Sequence, residues 1–216
     1  MSDLARIILN ERRRYCAEAG GGVSLPVAGA VYWAAAAIAG VYLEPGDWAF
    51  AAAAGSGLIF PLGLLLQGIC RSPFMKAKSP LGGSAMAGIL AINLLWPVHF
   101  AIISVFPEAA PLTLAIGMAL HWPIIGWGYA SRVCLFHAIV RVIAVTALWY
   151  ALPELRLVAI PLAVSALYVL AAMGLSWEAS RFRGMTTARV ALNGRSPGGM
   201  SRVEKGQDPW QSTGAR

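Results

Sequence analysis

One arginine in this 216-residue chain lies where an arginine is costly. Arg141 stands in an apolar run at 133–152, and a guanidinium near the middle of a bilayer costs ~2.5–3.5 kcal/mol to insert. It stays protonated there, so its natural complement is an anion. His137 is one helical turn earlier and shares its face. His121, His99 and Asn93 interrupt neighbouring apolar runs. Ordered by depth, His99, His121, Arg141 and His137 step from one side of the membrane toward the other. Intramembrane polar groups of this kind suit the binding of a small anion or the relay of protons. They suit structure as well, with Arg141 held by backbone carbonyls, Asn93 and histidine nitrogens, and the residues alone leave both readings open.

Other chemistry finds less support. None of the apolar runs contains a carboxylate, so a pump built on a mid-membrane acid is not expected. The histidines have no His or Glu at the i+4 spacing of metal ligands, and no metal or cofactor is expected. None of the apolar runs contains a Gly-x-Ser-x-Gly elbow or an Asp to orient a histidine, so the chain is not read as an enzyme.

The elements that must position these residues are hydrophobic helices. The chain is 58% hydrophobic and 12% charged, against about 45–50% and about 25% in soluble domains. Six stretches are long enough to cross ~30 Å of hydrocarbon, at 24–43, 48–70, 84–106, 111–130, 133–152 and 157–177. The expected fold is all-α, a polytopic integral membrane protein built as a bundle of six transmembrane helices. Its organisation divides into a basic N-terminal segment at 1–23, the helical domain at 24–178 and a tail at 179–216.

Charge sets the orientation. Of the 17 Lys and Arg residues, all but Arg141 and Arg156 fall on one side of this arrangement. Positive charge marks the cytoplasmic side, so both termini are expected in the cytoplasm of a bacterium, with the helices in its inner membrane. Cys16, Cys70 and Cys134 fall at that same end, where thiols stay reduced. The net charge of +7 points to anionic lipid headgroups rather than nucleic acid, because aromatic residues are not interleaved with the basic ones. The first apolar run begins after a long polar segment and reads as an uncleaved anchor.

At 2–18, Leu4, Ile7, Ile8 and Tyr15 fall on one helical face flanked by Arg12, Arg13 and Arg14, as in a helix lying on a membrane surface. Gly20, Gly21 and Gly22 read as a hinge into the first span. Pro61, Pro97, Pro123 and Pro161 lie within spans and predict kinks. The tail, rich in Arg, Gly and Ser, with Pro197, Gly198, Gly199 and Trp210, reads as disordered and basic.

Two Pro-Leu-Gly motifs flank the basic loop, Phe60-Pro61-Leu62-Gly63 and Ser79-Pro80-Leu81-Gly82, and Gly126-Trp127-Gly128-Tyr129 follows. Over roughly 25–152 this pattern resembles a family of small bacterial multi-pass membrane proteins of unknown function, the DUF7010 type. The resemblance implies a compact helical bundle and supplies no activity. Two functions of different class follow. One is a small carrier or ligand-binding membrane protein using the cluster around Arg141. The other is a non-catalytic subunit of a larger membrane complex, docking through its helices and basic tail.

Overall fold

A computed structural model describes residues 2–194. The described residues form ten α-helices and no strand: α1 (Asp3–Glu18), α2 (Ser24–Ala39), α3 (Pro45–Ser56), α4 (Ile59–Leu66), α5 (Gly82–Asn93), α6 (Trp96–Val105), α7 (Ala110–Gly117), α8 (Trp122–Tyr129), α9 (Arg132–Ala151) and α10 (Arg156–Gly194). Five stretches are long and apolar enough to cross a membrane: Gly20–Tyr42, Gly82–Val105, Pro107–Tyr129, Arg132–Ala151 and Pro153–Met185. The pair α3 and α4 meets at a bend of 45°. Such a bend leaves both halves advancing in one direction. Together they amount to roughly 33 Å of helix, and the stretches of spanning length number six where this pair is counted as one. The fold is all-α and polytopic.

Proline accounts for two of the breaks. Pro97 and Pro123 do not kink continuous helices; each sits in the first turn of a new segment, α6 and α8. There the missing N–H was already without an intrahelical partner. Pro161 is accommodated inside α10.

Small residues bring the helices together, as expected where lipid removes the hydrophobic drive for association. α2 packs along α10, and α4 packs on α2. At Gly40 an added Cβ would fall 2.1 Å from the Leu157 carbonyl oxygen, and at Gly63 it would meet the Leu25 side chain at 2.7 Å. Buried polar groups bond across these seams. Trp48 Nε1 donates to the Ala36 carbonyl at 2.8 Å, and Ser165 Oγ to that of Ala30 at 2.8 Å.

α1, the 67–81 loop, the turn before α9 and the last third of α10 gather at one end of the bundle. Arg14 reaches the Lys78 carbonyl, Ser79 Oγ donates to Glu11 at 2.7 Å, and Ser72 Oγ donates to the Ala19 carbonyl at 3.1 Å. The Arg183 guanidinium bonds the Ala17 carbonyl, and Glu178 accepts the Arg132 N–H at 3.2 Å. Gly20, Gly21 and Gly22 are not a hinge. All three are buried with φ of +59°, +68° and +62°, a left-handed stretch that only glycine adopts without strain. Backbone packs against them on both sides, from Arg71–Ser72 and from Leu175.

α10 also departs from expectation. It runs on through 179–194, where composition suggested an unstructured tail. No proline interrupts it there, and α1 docks along it. The tail features at 195–216, including Trp210, lie outside the described residues.

Candidate functional site

Between α4, which packs on α2, and α5, which packs on α8, lies a partly open cavity of about 560 Å³. That volume is within the range of small-molecule sites, ~300–1,000 Å³. On the third crossing, Ala85, Ile89, Ile92, Asn93, Trp96 and His99 line it at helical spacing. From Gly82 to His99 this stripe extends roughly 25 Å. Leu114, Gly117, His121, Ile125 and Tyr129 supply a matching stripe from α7, α8 and the turn between them. The cavity is therefore a long slot. Its lining is mainly apolar, and the exposed side chains of Phe60, Met75 and Met86 mark its mouth.

Asn93, His99 and His121 line the slot, whereas His137 and Arg141 do not. Asn93 spends its amide on its own helix, donating to the Ile89 carbonyl at 2.8 Å. His99 is buried edge-on to Trp96, with ring centroids 5.7 Å apart. Gly117 makes room for it, since a Cβ there would lie 2.5 Å from His99 Nε2. His121 lies against the Trp122 ring.

Behind this wall His137 sits between Trp122 and Tyr168, at 4.3 and 5.2 Å between centroids. Arg141 has 0% exposure. Its guanidinium faces the rings of Tyr168 at 4.8 Å and Trp33 at 5.5 Å. Nε, Nη1 and Nη2 have no hydrogen-bond acceptor among the described residues. The expected carbonyl or Asn93 anchorage is not made. The ion pairs among the described residues are all on α1, Arg6–Asp3 and Arg14 with Glu11 and Glu18. No three His, Cys, Asp or Glu residues among those described come together to hold a metal.

The three arginines expected at a membrane surface have specific partners. Arg12 donates to the Trp127 carbonyl and stacks on that indole, and Arg13 lies over Phe182. Arg14 grips Glu11 and Glu18, and its hydrogen bonds hold the Glu11 carboxyl below the usual carboxylate range. Meanwhile Leu4 and Ile7 at the start of α1 are exposed.

Sequence reasoning missed Tyr168 and Trp122, the rings that separate the slot from Arg141. It also missed Glu178, buried one residue past the expected sixth span. An aromatic residue in an apolar run carries no signal that it divides two polar sites. The His137–Arg141 spacing did carry one.

These features define a class: an all-α, polytopic membrane protein with a partly open, mainly apolar cavity and a buried cation beside it. The chain belongs to DUF7010, a family of unknown function, whose profile matches residues 8–178. The match begins within α1 and ends at Glu178, within α10. No curated protein and no solved structure matches the chain.

Proposed function

We propose that this protein is a small ligand-binding carrier of a bacterial inner membrane. It takes a chain-like amphiphilic molecule from the bilayer through the gap between α4 and α5. The slot carries this reading: it is elongated, mostly apolar, and has a few polar groups at the end away from α1, the pattern of sites that orient a ligand by its head. Packed helices have no need of such a space.

A dibrominated long-chain fatty acid tests it, because bromine quenches tryptophan at contact and Trp96 and Trp122 line the slot. Saturable quenching is expected in detergent-solubilised protein. The double variant Ala85→Phe, Ile89→Phe fills the slot and is expected to weaken binding about tenfold or more, with the melting temperature little changed. Equal quenching in the filled variant would place the probe on the outer, lipid-facing surface and remove the basis for a carrier.

The basic segments gathered at the α1 end support a topology with that end in the cytoplasm. Cys16 and Cys134 are buried, and burial pushes the Cys16 thiol up to about 12, so it stays protonated and inert near neutral pH. With Cys70 replaced by Ser, introduced cysteines therefore report alone. On whole cells, with the outer membrane permeable to the reagent, an impermeant maleimide is expected to label Asp47→Cys and to spare Lys76→Cys until the inner membrane is opened. Labelling of Lys76→Cys first would invert the assignment.

A further inference from the structure

We infer that Arg141 is the anchor for an anionic head on the ligand, and that Tyr168 is the gate through which the head reaches it. The ligand is then an anionic amphiphile, a carboxylate or phosphate on an apolar chain. This rests on the slot being a ligand site, as proposed above.

The unbalanced charge leads to this conclusion. A buried arginine cannot shed its proton, and a buried charge is costly unless it is paired and hydrogen-bonded. Arg141 is fully buried, and its three nitrogens find no acceptor. The Trp33 and Tyr168 rings compensate only in part. The neighbouring orphaned groups add donors: the indole N–H groups of Trp33 and Trp122 also lack partners. A fixed cation beside unused donors, with no carboxylate bonded to it, is built for an anionic oxygen group.

The route is one side chain thick. Tyr168 faces Arg141 on one side and lines the slot on the other. Its ring is seated on Gly29, where an added Cβ would fall 2.8 Å from it. Open space lies on the slot side of Tyr168, and a swing of its ring into that space would uncover the Arg141 guanidinium. The closed ring also explains how the cation is kept from water while no ligand is bound.

The test compares the dibrominated fatty acid with its methyl ester, at a pH where the acid is ionised. In the wild type the acid is expected to bind about tenfold or more tighter than the ester. In Arg141→Met the acid should fall to the ester's affinity while the ester is unchanged, and Arg141→Lys should keep part of the preference. Tyr168→Ala should keep the preference and speed association. Acetate and inorganic phosphate are then offered as competitors. Failure of both to displace the acid supports the amphiphile; displacement by either alone would overturn it in favour of a free anion. Equal binding of acid and ester, still blocked in Ala85→Phe, Ile89→Phe, would overturn the anchor and leave the slot standing. Binding of neither probe would remove the slot reading itself.

Discussion

Replacing Arg141 with Met is expected to raise the melting temperature of the ligand-free protein. Truncating a charged residue in a protein core ordinarily does the reverse, because it strands a partner. Among the described residues there is no bonded partner to strand: the guanidinium nitrogens have no acceptor there, and the Trp33 and Tyr168 rings face the guanidinium. Exchanging buried ionic groups for apolar side chains of similar volume has yielded stabilisation of ~1–4 kcal/mol elsewhere. At about 2–4 °C per kcal/mol for a chain of this size, the shift is roughly 3–15 °C upward, read by a thermal scan in detergent. The same variant loses the acid-over-ester preference. Stability gained and binding lost together are the mark of a residue kept for function. A fall in melting temperature would instead mean that Arg141 holds the bundle together.

Gly20→Ala is expected to lower the melting temperature by roughly 4–24 °C. Two costs add. The residue sits at φ +59°, and holding a non-glycine residue there costs ~1–3 kcal/mol. Its new Cβ would lie 2.6 Å from the Arg71 carbonyl oxygen and 2.9 Å from Ser72 Cα. Both are backbone atoms of the loop that Ser72 ties to Ala19, and neither can rotate aside. Overpacking of that sort costs a further ~1–3 kcal/mol. Gly46→Ala is the control: nothing lies within 4 Å of its Cβ position, and no shift beyond about 0.5 kcal/mol is expected. If Gly20→Ala melts with the control, the 67–81 loop is free to move and the left-handed turn is not a fixed joint.

The crossings were legible because an apolar run of bilayer length has few alternatives in water. The slot was not. A membrane helix is apolar toward lipid and toward its neighbours alike, so the stripe from Ala85 to His99 looks like any other face of its helix. Five polar residues stood out individually, and His137 and Arg141, one helical turn apart, both meet the Tyr168 ring. Their separation from His99, His121 and Asn93 depended on Tyr168, which arrives from another helix. The segment 179–194 was misread for a related reason. Arg, Ser and Gly content reads as disorder, whereas the helix there is supported by α1, whose own leading position says nothing of where it docks. The motifs behind the family resemblance now have local roles. Gly63 lets α4 approach α2, Ser79 holds Glu11, and the Trp127 carbonyl holds Arg12.

Tyr15, near the end of α1, lines the slot and meets Tyr129 edge-to-face at 5.1 Å. α1 precedes these crossings in the chain, yet it packs on α10, which follows them all among the described helices. The floor of the slot can therefore be laid only after the whole bundle has been inserted. Until then the nascent protein is an unfinished vessel, and a segment translated ahead of the crossings is the one that seals it.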